Sequence, residues 1–327
     1  MKNAILKLLK NSTDYLSGEE ISSVLGVSRT AVWKHIRNLK NDGYIIESQT
    51  KLGYRLLKIP DRLYPEEIKE HLNTIKVGQV IFYYQSVNST NISAKEIAEK
   101  GFKEGTLVVG EMQTEGKGRL GREWHSPYGT GIWMSLIVRP EIPPMDAPKI
   151  TLLTAVSAAH AIWQETGLKP GIKWPNDILL HGKKLCGILT EIKADMDQIH
   201  YIIVGLGINV NDCEFPDDIR DIATSLKLET GNTMNRAKIA AAILNNWEEN
   251  YQEFLHHGFS RIKSHWKDYS VNLGQEITVH TLKDTIQGRM VDIDDEGLLL
   301  VEDRAGIIHK IVAGDVSLRG EVKKHEN

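Results

Sequence analysis

The sequence predicts an α+β protein of several domains: a helical module with a hairpin, then a mixed α/β body, then a small SH3-like β-barrel. Three observations carry this. Its 327 residues, 41% hydrophobic and 25% charged, exceed one ordinary core and are apolar enough for two or three. Helical spacing fills the first forty residues, strands and helices alternate from about residue 80, and short strands alone follow about residue 272. Charge divides the same way. Residues 1–60 hold ten Lys/Arg against five Asp/Glu, a net of +5, so a total of −3 leaves −8 on the other 267. A basic module on an acidic body points to a polyanion as partner of the module.

In that module Ile5, Leu6, Leu8 and Leu9 make one apolar helix face. Ser17 with Glu20 is a capping box opening a second helix, with Ile21, Val24 and Leu25 as its buried stripe and Gly26 as its end. Ser28 caps a third helix, whose apolar positions Val32, Ile36 and Leu39 recur at spacings of four and three. Asp42-Gly43 closes it, Tyr44-Ile45-Ile46 starts a strand, and Lys51-Leu52-Gly53 turns the chain into Tyr54-Arg55-Leu56-Leu57. This order is the winged helix-turn-helix plan. Arg29, Thr30, Trp33, Lys34 and Arg37 fall on the solvent side of the candidate recognition helix, behind the cap Ser28, as candidate DNA contacts. Trp33 also suits a core position.

A linker is expected over Lys58–Glu66, bracketed by Pro60 and Pro65, giving domains at 1–62, 63–271 and 272–327. In the central domain Val80–Tyr84, Thr106–Glu111 and Ile132–Val138 read as strands and Asn91–Lys100 as a helix. Asp146 starts a long apolar helix with Pro148 in its first turn. Gly171–Trp174, Lys184–Ile192 and His200–Asn209 read as strands, and Arg236–His256 as the helix that completes the body. Beyond them Glu276–Thr281, Ile286–Ile293, Leu298–Glu302 and Ile307–Val312 are the barrel strands. Two cysteines supply neither a disulfide framework nor a four-cysteine zinc site. No stretch reaches the roughly 18 apolar residues of a membrane span. The opening segment lacks the uninterrupted apolar core of a secretory signal, so a soluble, cytoplasmic chain is expected.

Gly116-Lys117-Gly118-Arg119-Leu120-Gly121 matches G-x-G-x-x-G letter for letter. A dinucleotide fold needs a helix directly after it, and a turn-rich run through Trp124 to Gly131 follows instead. A P-loop fails too, because Lys117 precedes Gly rather than Ser or Thr. What remains is a basic loop, either solvated or aimed at phosphate or carboxylate oxygens through Lys117, Arg119 and Arg122. Lys173-Trp174-Pro175-Asn176-Asp177 ends a strand in a turn that is structural or functional. Alternation sets Lys184 on one face with Cys186 and Ile188, snorkelling at a strand end or entering a pocket. Gly205 and Gly207 precede Asn209 and suit a planar ligand. Cys186 reads as a packed thiol. No close histidine spacing offers a protein-ligated metal, and G-x-S-x-G is absent.

Taken together, Ser89-Thr90-Asn91, Gln113, the loop 116–122, Lys173–Asp177, Lys184 with Gly187, and Gly205–Asn209 resemble the biotin protein ligases in order and spacing. With the N-terminal winged helix, the chain is similar to the bifunctional bacterial type, both biotin–[acetyl-CoA-carboxylase] ligase and biotin operon repressor, from about Leu6 to Arg319. The resemblance implies ATP-dependent adenylation of biotin, with Mg²⁺ accompanying ATP, and then transfer to a lysine of a biotin carboxyl carrier domain. It implies that Lys184 bridges the biotin carboxylate and the α-phosphate, and that Arg119 and Arg122 hold and shield the adenylate. Ser89, Thr90 and Gln113 match groups that read the ureido ring. Asn91, Gly116, Lys117, Gly118 and Gly187 belong to the same biotin-binding segments. Asn209 matches a residue at the adenine edge, and Trp124 lies where an indole lines the nucleotide pocket. Lys117 stands where many members carry Arg, keeping the charge but losing the bidentate fork. The further implied partners are double-stranded operator DNA and a second copy of the chain, in a homodimer favoured by biotinyl-5′-AMP. A lipoate-type ligase and a metabolite-sensing transcription factor without catalysis are the alternatives.

Overall fold

Three helices and a hairpin make up the first unit, Met1–Arg62, of a computed structural model that describes residues 1–281 and 284–318. α1 (Lys2–Lys10) buries Ile5, Leu6 and Leu9. α2 (Gly18–Leu25) opens on the reciprocal Ser17–Glu20 capping box. α3 (Arg29–Asn41) opens where Ser28 Oγ accepts from the Ala31 N–H at 3.2 Å, and it buries Val32, Ile36 and Leu39. β1 (Ile45–Gln49) and β2 (Gly53–Lys58) pair antiparallel. Val24 departs from expectation, being 67% exposed. Ile21 and Leu25, four apart, share the inner face, and Val24 stands about 60° round from Ile21 on a helix of 3.6 residues per turn. Trp33 is 53% exposed, so it belongs to the solvent face and not to the core.

The second unit begins at Leu63, inside the expected linker. Leu63 is fully buried and its N–H donates to Glu111 Oε1 at 2.7 Å. Pro65 opens α4 (Pro65–Lys69), because its fixed φ and missing N–H suit a first helical position. Then come β3 (Ile81–Tyr84), α5 (Thr90–Glu99), β4 (Leu107–Gly110), β5 (Gly131–Val138) and α6 (Ala147–Thr166). Four strands follow, β6 (Gly171–Lys173), β7 (Asp177–Leu180), β8 (Lys183–Ala194) and β9 (Ile199–Asn209). The helices α7 (Leu226–Thr230), α8 (Arg236–His257) and α9 (Ser260–Tyr269) close the body. The sheet order is β3-β4-β5-β9-β8-β7-β6, antiparallel except for β3 and β4. Every residue of β5 is buried, because helices cover both faces. Val108 and Ile137 pack with Ala94 and Ile97 of α5, while Leu107 and Leu136 join the larger core with α6 and α8.

The four short strands expected after residue 272 are present and a fifth follows them: β10 (Glu276–His280), β11 (Thr285–Ile293), β12 (Leu299–Glu302), β13 (Ile308–Ile311) and β14 (Asp315–Leu318). They form an antiparallel sheet in the order β13-β12-β11-β10-β14. Its inner residues Ile277, Val279, Met290 and Leu299 share one continuous apolar core with α6 and α8. A fully buried ion pair ties the body together: Arg236, first residue of α8, donates to Glu111 Oε2 at 2.9 Å and to the Gly131 carbonyl at 3.0 Å.

Candidate active site

The strand β4 runs out into Gln113, and α5 presents its N-terminus beside it. Gln113 Oε1 accepts from the Thr90 backbone N–H at 2.9 Å and from the Thr90 hydroxyl at 3.1 Å. Its amide nitrogen donates to Ser126 Oγ at 3.0 Å, and the Ser126 hydroxyl donates to the Trp124 carbonyl at 2.9 Å. One short network therefore joins the helix start, the strand end and the return of the basic loop. Gly116 sits inside it, since a Cβ there would come 2.5 Å from the Trp124 carbonyl oxygen.

The indole of Trp124 lies on bare backbone. Gly187 of β8 and Gly207 of β9 are paired in register, and a Cβ would come 2.9 Å from the indole at Gly187 and 2.3 Å at Gly207. Two facing glycines leave a flat floor that only a planar group fills. Among the described residues the buried indole N–H has no hydrogen-bond partner.

Lys184 Nζ stands 5.2 Å from the indole centroid and 2.9 Å from Asp177 Oδ1. Here the expected alternation is corrected. The β7–β8 register shifts, pairing Cys186 with Ile178 but Lys184 with Leu179. This bulge adds one residue and resets the alternation. Lys184 consequently shares the Gly187 face, with its Cε 3.4 Å from where a Gly187 Cβ would stand. Leu185, Cys186 and Ile188 go to the core. Burial pushes the Cys186 thiol far up, so it stays protonated and inert.

Arg119 reaches across the site to Asn176 Oδ1 at 3.1 Å and to the Gly314 carbonyl at 3.3 Å, while Arg122 pairs with Asp315. The Asn176 amide nitrogen is fixed in turn by the Ile188 carbonyl at 2.9 Å. The Gly118 N–H donates to the Arg122 carbonyl at 2.7 Å and closes the loop. At the loop's tip Leu120 is 68% exposed and held at φ 56°, a left-handed conformation that costs an ordinary side chain energy. Lys117 is exposed.

Ser89 is buried at the N-cap of α5 without a capping bond from its side chain. Asn91 turns toward β8, donating to Glu191 Oε2 at 2.7 Å and to the Leu189 carbonyl at 3.2 Å. Asn209 donates to the Thr224 carbonyl at 3.0 Å. Three residues on, burial raises the Asp212 carboxyl above the usual range against the opposing Thr130 hydroxyl, which donates at 2.6 Å. Among the described residues, no three His, Cys, Asp or Glu gather in a way that could hold a metal ion. Ser126, Ser135, Asn176, Asp177, Glu191 and Asp315 enter the site or its support although none was singled out individually in the sequence. Of these, only Asn176 and Asp177 lay in a segment whose turn signal marked them.

On the first unit, Arg29, Thr30, Trp33, Lys34 and Arg37 are all exposed along α3, with the Arg37 guanidinium 5.7 Å from the Trp33 ring centroid. No helix among the described residues is long and apolar enough to cross a membrane.

Comparison with known proteins agrees with this arrangement. The signature of the Biotin/lipoate A/B protein ligase family matches residues 82–209, that of an HTH domain residues 2–55, and that of the Biotin protein ligase C terminal domain residues 273–319. The Bifunctional ligase/repressor BirA of Bacillus subtilis is 44% identical over 319 residues, covering 97% of this chain and 98% of that protein. Its Escherichia coli namesake is 29% identical over 98% of this chain and 97% of that protein. The solved biotin protein ligase from Aquifex aeolicus in complex with biotin and ATP superimposes with a TM-score of 0.65 at 32% identity, over 74% of this chain and 99% of that one. With a winged helix, a glycine-floored site under a basic loop and near full-length similarity, the chain belongs to the bifunctional ligase/repressor family of biotin protein ligases.

Proposed function

We propose that this chain adenylates biotin with ATP, transfers biotin to a lysine of a biotin carboxyl carrier domain, and represses transcription in response to biotin. The observation that carries the ligase reading is the convergence of Lys184, the Gly187–Gly207 floor and the Thr90–Gln113 pair on one face, under the loop that bears Arg119. A carboxylate oxygen of biotin attacks the α-phosphorus of ATP, the bond to the β-phosphate oxygen breaks, and pyrophosphate leaves. Lys184, ammonium on a strand, neutralises the oxygens that meet in this step. Arg119 and Arg122 exchange their protein acceptors for the adenylate and keep water from it. The deprotonated carrier lysine then attacks the acyl carbon and AMP departs. Thr90, Gln113 and Ser89 read the ureido ring, with Asn91, Gly116, Lys117, Gly118 and Gly187 shaping their surroundings. Trp124 and Asn209 line the nucleotide side. Mg²⁺ belongs to this reading as the ion that neutralises polyphosphate charge; the described residues offer no carboxylate set of their own for it.

The first unit supplies DNA recognition through Ser28–Arg37, and the adenylate-bound chain acts as a homodimer on a two-fold operator. The test is mass analysis of a carrier domain after incubation with the protein, ATP, Mg²⁺ and either biotin or lipoate. One added biotinyl group per carrier is expected. Lipoyl transfer alone, or no transfer, overturns the reading. Operator titration of the free, biotin-bound and biotinyl-adenylate-bound protein at one salt concentration tests the repressor. The adenylate is expected to tighten binding most.

A further inference from the structure

The sheet face that carries the glycine floor continues across β9, β8, β7 and β6 to the edge of the sheet. Gly187 of β8 lies opposite Asp177 of β7, and Asp177 lies opposite Lys173 of β6. In the next row Lys184 lies opposite Leu179, and Leu179 opposite Gly171. Cross-strand partners point to one face, while the alternate residues Ile172, Ile178 and Leu180 go to the core on the other. The face of Lys184 therefore runs past Asp177 to Lys173, and a cavity of about 390 Å³ lies beside it at that end. Lys173 and Leu179 line it from the sheet, Lys169 from just before β6, and Asp268, Ser270 and Asn272 from the end of α9 and the linker to β10. Two ammonium groups thus face one carboxylate. Asn272 is 1% exposed, and neither the Ser270 hydroxyl nor the Asn272 amide oxygen has a hydrogen-bond partner among the described residues. A serine hydroxyl can donate to an oxyanion, and an asparagine amide can turn its NH₂ to do the same.

We propose that this cavity receives the β- and γ-phosphates of ATP, and then the pyrophosphate they become, on Lys173 and Lys169. The inference rests on the adenylation reading above and deepens it. Strand order lays out the nucleotide: Asn209 on β9 takes the adenine edge and Lys184 on β8 the α-phosphate, so the remaining phosphates run over β7 towards β6. Neighbouring strands are about 4.8 Å apart, which sets β6 roughly 10 Å from β8, a span that two phosphates and a lysine stem cover together. The Asp177 carboxylate on the way is already paired with Lys184 at 2.9 Å. When a biotin carboxylate oxygen attacks the α-phosphorus, the bond to the bridging oxygen breaks and pyrophosphate carries that oxygen away. The ammonium groups of the cavity balance the charge it gains.

The test is biotin-dependent exchange between ATP and pyrophosphate by the full chain in wild-type, Lys173→Met and Lys169→Met forms, with pyrophosphate varied. Transfer of biotin from ready-made biotinyl-5′-AMP to the carrier domain is timed in parallel, because that step holds no pyrophosphate. Lys173→Met is expected to raise the KM for pyrophosphate about tenfold, the loss of one charge-assisted hydrogen bond. Lys169→Met, at an exposed and screened position, is expected to raise it about threefold. Transfer from the adenylate is expected at the wild-type rate in both. An unchanged KM for pyrophosphate in both variants overturns the proposal, and so does a matching slowdown of transfer, which would trace the effect to general damage. Lys169→Met replaces a surface side chain, so it decides the question even where Lys173→Met fails to fold. Absence of biotin-dependent exchange in the wild-type chain would instead overturn the function proposed above.

Discussion

Replacing Arg236 by Met would remove one half of the ion pair in the interior of the second unit. Both side chains are fully inaccessible, and the pair at 2.9 Å is joined by the bonds from Arg236 to the Gly131 carbonyl and from the Leu63 N–H to Glu111. Methionine fills similar volume, so the cavity is small and the cost is electrostatic. The variant takes the guanidinium from a fully buried carboxylate, and the Gly131 carbonyl loses a donor. Breaking a buried pair from one side costs about 3–5 kcal/mol. At roughly 2–4 °C per kcal/mol for a unit of this size, the melting temperature should fall by about 6–20 °C. Function should suffer first at Gln113, two residues from Glu111, as a raised biotin KM. The assay is thermal and urea unfolding of three proteins: wild type, Arg236→Met, and Arg236→Met with Glu111→Gln. The double variant removes both charges of this pair and should recover most of the loss. A single variant within about 1 kcal/mol of wild type, or a double variant worse than the single, would refute the electrostatic account.

Lys184→Ala should lower pyrophosphate exchange by the equivalent of about 2.7–4 kcal/mol of transition-state stabilisation. Its half-exposed pair with Asp177 is worth at most about 1 kcal/mol to the fold, so the melting temperature should barely move. Arg37→Ala with Arg29→Ala should weaken operator binding, lower its salt dependence and spare biotinylation, read by band shift across a salt series. Asp212→Asn should stabilise the protein at neutral pH. The folded-state pKa of Asp212 is raised, so its contribution is complete below the unfolded-state value and lost as pH rises through the folded one. The gain over wild type in unfolding midpoint should accordingly shrink as pH is lowered. A thiol reagent at pH 8 should titrate one group, exposed Cys213, in the native protein and two after denaturation, because Cys186 is buried and protonated.

Much of the architecture was legible in the residues because it rests on local periodicity. The capping box at Ser17 and Glu20, the spacing of Val32, Ile36 and Leu39, and the all-apolar run of β5 each follow from one short stretch of chain. The same holds for the glycine-rich loop, whose failure to precede a helix excluded a dinucleotide fold. What escaped was short or non-periodic. The four residues of β7 lie between two turns, and α9 shows its buried Ile262, Trp266 and Tyr269 only once α6 is beside it.

The site divides along the same line. Lys184 and Arg119 stood out as cations beside glycines, which are properties of a residue and its neighbours, whereas Thr90, Gln113 and Trp124 were named from the resemblance to biotin protein ligases. Their orientation was decided in three dimensions. A bulge between β7 and β8 carries Lys184 to the glycine floor, against the alternation its own strand suggests. Asn91 was named with the Ser89-Thr90 segment, and its side chain donates to Glu191, 100 residues away, a partner that segment does not reveal. Glu111 and Arg236, 125 residues apart, looked like any two charges in the chain. Hydrogen bonds and buried charges are short-ranged and directional, so their partners depend on which strands the fold lays side by side, and separation along the chain carries no record of that.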